Sequence, residues 1–194
     1  MKLFFYILLT VSCFSLFSQD TITVQIAHGS KPRKQYKDEF KTIGGKKGGH
    51  VVIQINNYVY GFYFTGHRIH IFPHRKTKNG TFQKQTLAEW AKITASKKVT
   101  TITIPVTAQQ KQTLLTFYTA NLVKPSYDYS FFGQRCASSV YSQLKSINKI
   151  KSGSRFCHAF YPAQLRKTIL KQSKQLGYTV AVKPGSTKRL WEGD

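Results

Sequence analysis

The chain has 194 residues, which is the length of a single domain. Thirty Lys and Arg against seven Asp and Glu give a formal net charge of +23, while 41% hydrophobic residues suffice for a packed core and exclude a disordered basic tail. The few, scattered carboxylates also argue against a glycosidase with paired acids and against a calcium site. The common nucleotide-binding motifs are absent, and we expect no cofactor.

The N-terminus has the pattern of an export signal. Met1-Lys2 precedes the apolar run LFFYILLTVSCFSLFS, which predicts a signal peptide over residues 1–18 and a mature domain over 19–194. The run is too short to favour a membrane span, so we expect no transmembrane helix in the mature form. Cleavage removes one charge, Lys2, and leaves +22. A periplasmic or secreted protein is favoured over a lipoprotein anchored through Cys13, because Thr10 stands where a lipobox prefers Leu.

Strand and helix signals along the mature chain predict an α+β fold with antiparallel strands beside segregated helices. Asn56-Asn57 lies between two β-branched and aromatic runs and predicts a hairpin turn. No internal repeat or linker divides the chain. The predicted strands cover residues 20–27, 50–55, 58–64, 68–72, 99–104 and 178–182, and the predicted helices begin near Thr86, Thr107, Cys136 and Pro162.

Export leaves two cysteines, Cys136 and Cys157, and two cysteines in an oxidising compartment usually form a disulfide. The other interpretation is a nucleophile at Cys136, because free N–H groups at the first turn of a helix stabilise a thiolate. Arg135 adds a cationic charge beside it. Cys157 lies in a segment predicted to be extended, which points the side chain of His158 to the opposite face.

A nucleophilic Cys needs an imidazole to take its proton. His50 opens a predicted strand directly after Gly48 and Gly49, so it can project from a sheet edge next to a flexible turn. A single His at a strand start is more often structural, and His50 gains interest only in combination with Cys136.

Those two segments, GGHVVIQINNYVYGF and YDYSFFGQRCASSVYSQL, resemble a circularly permuted papain-like domain of the NlpC-type cell-wall peptidase superfamily. Lecithin:retinol acyltransferase-like proteins share the order of His before Cys. The resemblance spans roughly residues 45–170 and implies Cys136 as the nucleophile and His50 as the base. It also implies that Tyr127 and Tyr129 shape the substrate cleft.

The chain departs from the family pattern at two places. Arg135 precedes the Cys where many permuted members have Asn. The strand after the His offers no obvious residue to orient the base. If Asn56-Asn57 forms a two-residue turn, residues whose numbers sum to 113 face each other, which places Tyr63 opposite His50. His70 is the other candidate and is slightly favoured, because an imidazole can donate to or accept from the His50 ring.

The remaining histidines and the basic charge are the other candidate binding features of the chain. His67, His70 and His74 cross a strand and a Pro turn, so their side chains need not converge and we expect no metal. No nucleic-acid-binding motif occurs, so anionic polymers of the cell envelope or lipopolysaccharide are the expected partners. The basic stretch 31–47, with Lys46 and Lys47, could guide such a polymer towards the cleft. We expect a monomer.

Together these features predict an exported cysteine hydrolase that cleaves amide bonds in peptidoglycan stem peptides. Two alternatives stay open. One is a lipid acyl hydrolase or acyltransferase of the same fold. The other is a non-catalytic basic module that binds the envelope and carries a Cys136–Cys157 disulfide.

Overall fold

The computed structural model describes residues 20–36, 44–66, 68–76 and 78–193. The predicted signal peptide with Cys13, residues 37–43 of the basic stretch 31–47, and His67 therefore lie outside the described residues. Within the described part of the chain no helix is long and apolar enough to cross a membrane.

An antiparallel sheet of six strands forms the centre of the fold, in the order β5-β4-β3-β1-β6-β7, and helices pack against it. The α+β prediction is therefore confirmed. The strands are β1 Asp20–His28, β2 Ser30–Pro32, β3 Gly49–Ile55, β4 Tyr58–Phe64, β5 Gly80–Thr86, β6 Val99–Val106, β7 Thr179–Lys183 and β8 Arg189–Trp191. The helices are α1 Leu87–Ile93, α2 Ala108–Val123, α3 Cys136–Ser146, α4 Arg155–Ala159 and α5 Pro162–Leu176.

The β3–β4 hairpin has the predicted register. Val52 pairs with Gly61 and Ile55 with Tyr58, so paired residues do sum to 113. Asn56 adopts φ 54°, a left-handed conformation that Asn tolerates well in a two-residue turn. The ladder between these strands ends at Val52–Gly61, so the first residues of β3 have no partner in β4.

The two faces of the sheet bury different clusters, because successive side chains of a strand point to opposite faces. Val51 and Ile53 of β3 join the large core beneath α2, α3 and α5. Val52 joins a smaller cluster on the other face with Val59 and Trp90 of α1. This division decides on which side of the sheet each candidate site residue lies.

The helix termini follow their sequence signals. Thr86 and Glu89 form a capping box at the start of α1, and Thr107 with Gln110 forms one at the start of α2. Gly177 ends α5 in a left-handed conformation, φ 67°, as expected for a C-terminal glycine.

Other predictions were wrong. Residues 68–72 form no strand; only His70 makes an isolated bridge, to Ser130, and Pro73 ends the segment. The strand that pairs with β4 is instead β5, whose polar residues gave a weak signal. β6 continues through Pro105, because its neighbour β7 pairs only with Val99–Thr103 and so requires no N–H from Pro105. The short strands β2 and β8 and the helix α4 were not predicted.

Candidate functional site

Cys136 is the first residue of α3 and is buried, with 4% of its surface exposed. The Tyr129 hydroxyl donates to its sulfur at 3.9 Å, a long contact. Backbone N–H groups of Val51 and Ala137 also hydrogen-bond to the sulfur. The Val51 N–H is available because the β3–β4 ladder has already ended at this point. The Cys136 thiol therefore lies among three hydrogen-bond donors, at the end of the sheet where β3 and β4 are no longer paired.

These donors and burial act in opposite directions on the thiol. Burial raises the pKa of Cys136, and the hydrogen bonds from Tyr129 and the backbone, together with the charge of Arg135, lower it by less. The net shift is upward, so Cys136 is a neutral thiol at neutral pH. A nucleophilic role requires that its proton be removed by a base or that the site open to water.

The ring of His50 lies on the other face of the sheet from α3. It stacks on Tyr63 with ring centroids 4.3 Å apart, and the centroid of Trp90 is 6.2 Å away. Nε2 is buried and has no hydrogen-bond partner. Gly61 provides the space, since a Cβ added there would lie 3.2 Å from Nε2 and collide with Tyr63. Burial, with a smaller effect from the charge of Lys97, lowers the pKa of His50 to about 3.

The expected hydrogen bond between Cys136 and His50 does not form in this arrangement. Among the described residues no hydrogen bond joins the two side chains, because residue 50 and residue 51 alternate across the sheet and only Val51 faces α3. The Cys136–His50 pair that the resemblance implies therefore has no hydrogen bond in this arrangement, and its catalytic role stays a prediction. Cys136 and His50 nevertheless lie at the same end of the sheet. The sulfur of Cys136 accepts a hydrogen bond from the N–H of Val51, the residue next to His50.

His70 does not orient His50. Its Nδ1 lies 2.7 Å from Oδ2 of Asp128, and its ring stacks on His74 at 4.1 Å. Asp128 is fully buried and also accepts from the N–H groups of His74 and Asn79, at 3.0 and 2.9 Å. Burial raises the pKa of Asp128, but these hydrogen bonds outweigh it and the net shift is downward. No local sequence signal predicts this His–Asp pair, because 58 residues separate its members.

The three predicted groove tyrosines have different environments. Tyr63 lies opposite His50 as predicted and donates to Gln85 at 3.0 Å. The Tyr127 hydroxyl is 2.9 Å from the Ser139 hydroxyl and its ring packs on Phe62, which makes it part of the core. Tyr129 alone of the three contacts Cys136 by a hydrogen bond. Burial raises the pKa of Tyr129, so its hydroxyl is a donor.

Cys157 lies in α4, not in an extended segment, and is exposed. It is a free thiol, as is Cys136, so the disulfide of the alternative interpretation is not formed. Within the described ranges no group of three His, Cys, Asp or Glu is placed to hold a metal. His67, the third member of the predicted histidine cluster, is outside those ranges.

No known protein family and no curated protein matches the sequence. A search of solved structures matches the type VI secretion system effector TseH, with a TM-score of 0.49 and 10% sequence identity. The match covers 84% of this chain and 99% of that one.

Proposed function

We propose that the protein is an exported cysteine hydrolase that cleaves amide bonds in peptidoglycan stem peptides, with Cys136 as its nucleophile. The observation that supports this proposal is the set of donors around one sulfur at a helix start: the Tyr129 hydroxyl and the N–H groups of Val51 and Ala137. Each of them stabilises a thiolate more than a thiol. The resemblance of the Cys segment to permuted papain-like domains of the NlpC type supports the same fold and reaction.

In this mechanism the base takes the proton of Cys136, the thiolate attacks the carbonyl carbon of an amide, and the C–N bond breaks as the amine leaves with that proton. Water then attacks the resulting thioester, which releases the carboxylic acid and restores the Cys136 thiol. N–H groups at the start of α3 face the developing oxyanion. His50 supplies the proton to the amine only if its ring moves to the α3 side of the sheet. That movement breaks the pairing of His50 with Ala27 of β1. The mechanism therefore requires the first residues of β3 to open when substrate binds.

His70 is the second candidate for the base. It already has the carboxylate partner that orients a catalytic imidazole, Asp128 at 2.7 Å. Asp128 is the chain neighbour of Tyr129, whose hydroxyl donates to the sulfur of Cys136. Replacing His50 and His70 separately by Gln assigns the base, since only the true base lowers kcat when the other ring remains.

The environment of Cys136 favours a non-catalytic alternative, a basic module that binds anionic envelope polymer. The Cys136 thiol is 4% exposed, its pKa is raised, and no imidazole bonds to it. In this alternative the donors at Cys136 simply satisfy a core cysteine, and binding depends on the excess of Lys and Arg. No disulfide is needed.

Product analysis separates these proposals. The protein is incubated with purified peptidoglycan and, in parallel, with an acyl-ester probe, and the products are identified by mass spectrometry. We expect Cys136→Ser to abolish release of peptide fragments while melting as the parent does. The matched control is Cys157→Ser, which changes an exposed thiol and should keep full activity. Release of acyl groups alone would indicate the lipid-directed alternative, and binding without any product would indicate the module.

A further inference from the structure

Six apolar side chains from three separate segments form one exposed patch, the aromatic patch, on the side of the molecule where α3 begins. Phe72 and Ile71 are the most exposed, at 65% and 63%, and three of the other four are more than 40% exposed. Such a cluster is unusual on a protein that remains fully surrounded by water. The patch consists of Ile71, Phe72, Phe131, Phe132, Phe156 and Phe160.

The patch is held in place by the fold. The N–H groups of Phe131 and Phe132 donate to the carbonyls of His70 and Ile71, at 2.7 and 2.9 Å, and so fix the two loops to each other. Phe72 then stacks on Phe132 with centroids 5.3 Å apart. Phe131 meets Phe160 edge to face at 5.1 Å, which joins the loops to the end of α4. The exposed rings therefore form one continuous surface.

Two arginines belong to the same surface. The guanidinium of Arg135 lies 3.6 Å from the ring centroid of Phe160, and that of Arg155 lies 5.2 Å from Phe156. Arg155 also donates to the carbonyl of Phe132 at 3.1 Å. No described carboxylate pairs with either arginine: Asp20 contacts Lys111, Glu89 the α1 cap and Glu192 Arg166, and Asp128 is buried next to the patch loops, where it pairs with His70. The surface thus combines aromatic rings with unopposed positive charge.

We infer that the aromatic patch docks the protein on a bilayer surface that contains anionic lipid. Aromatic rings are favoured at the boundary between headgroups and acyl chains, and guanidinium groups bind headgroup phosphates. A chain with a net charge of +23 is attracted to such a surface, whereas an apolar protein groove offers these arginines no counter-charge. This surface role is independent of whether Cys136 is a nucleophile.

Vesicle flotation tests the inference. The full chain is mixed with phosphatidylethanolamine–phosphatidylglycerol vesicles or with phosphatidylcholine vesicles, and the floating fraction is measured. We expect the Phe72→Ser/Phe132→Ser double variant to bind the anionic vesicles at least about tenfold more weakly than the parent. The control is Val123→Ser, which removes an apolar side chain that is 87% exposed on α2, outside the patch. All three proteins carry the same N-terminal segment, so its contribution cancels.

A second measurement reports insertion directly. Trp is introduced as Phe132→Trp or as Val123→Trp, and quenching by lipids brominated near the headgroup is recorded. Quenching of the first variant only supports the inference. Equal flotation of the parent and the double variant, or equal quenching at the two positions, overturns it. Size-exclusion chromatography tests whether a second copy of the chain covers the patch instead. If the parent is a dimer and the double variant is a monomer that binds vesicles as well as the parent, the patch is a dimer interface. That result also overturns the inference.

Discussion

The enclosed Nε2 of the half-buried His50 ring makes the stability of the protein depend on pH. This nitrogen is unpartnered, and burial lowers the pKa of His50 from 6.5 to about 3 in the folded state. In the unfolded chain the ring is hydrated and titrates near 6.5. Between these two values the unfolded state binds more protons, so the free energy of unfolding falls as the pH falls from about 6.5 towards 3.

The size of the effect follows from the two pKa values. A proton that binds only the unfolded state lowers the free energy of unfolding by up to about 1.4 kcal/mol per pH unit. Integration from pH 7 to pH 5 gives a loss of about 2 kcal/mol from this one side chain. His28 is also buried with a lowered pKa and contributes with the same sign, so the His50 effect must be read as a difference between variants.

The perturbation is His50→Gln, which removes the titrating group. Urea unfolding at pH 7 and pH 5 should show that the parent loses about 2 kcal/mol more than the variant over this interval. Tyr63→Ala provides a second variant, because removing the ring that stacks on His50 at 4.3 Å lets water reach the imidazole. We expect it to raise the pKa of His50 and to reduce the pH dependence of stability. Equal losses in the parent and His50→Gln, or an NMR titration of His50 with a midpoint near 6.5, would refute this reasoning.

Three further outcomes follow from the described contacts. After brief alkylation of the native protein, peptide mapping should show that Cys136 reacts at least about tenfold more slowly than Cys157, because Cys136 is buried and its raised pKa keeps it a neutral thiol. Equal alkylation rates would contradict the burial of Cys136. Asp128→Asn should lower the free energy of unfolding by about 2 kcal/mol, because three donors lose a buried anionic acceptor. The control Glu89→Gln preserves an exposed capping box and should change the free energy of unfolding little. Thermal melts of both variants measure the difference. Binding to anionic envelope polymer should weaken steeply when salt is added, which co-sedimentation measures, and salt-insensitive binding would point to apolar contacts instead.

Local sequence signals predicted the elements whose structure is set locally. The hairpin at Asn56, the two capping boxes and the helix at Cys136 all depend on residues within a few positions of one another. The register even placed Tyr63 beside His50. The same alternation turns the ring of His50 to the face of the sheet opposite α3, and the sequence around His50 does not show which face a helix covers.

Contacts between distant segments were missed for a related reason. The pairing of His70 with Asp128 depends on two irregular loops that backbone hydrogen bonds join. The aromatic patch likewise combines residues near 72, 131 and 156, and none of these segments is unusual by itself. The strand predicted over 68–72 had the right composition, but its N–H and carbonyl groups found partners in the loop before α3 and not in β4.

The small number of carboxylates determines how the positive charge of the protein acts on anionic partners. Asp20 and Glu192 bind Lys111 and Arg166 at 2.8 and 2.7 Å, and Asp128 is buried with His70, so each neutralises charge only locally. Most of the positive charge is therefore not offset by neighbouring acids, and its field extends over about a Debye length, roughly 8 Å at physiological salt. That field attracts anionic polymers and anionic lipid alike, and contacts at short range must distinguish them. Around Cys136 such contacts are hydrogen-bond donors suited to an amide, whereas on the aromatic patch they are rings suited to a bilayer. Under the two proposals above, charge brings the domain to an envelope, the aromatic patch binds its membrane and Cys136 acts on its polymer, and a different substitution removes each proposed step.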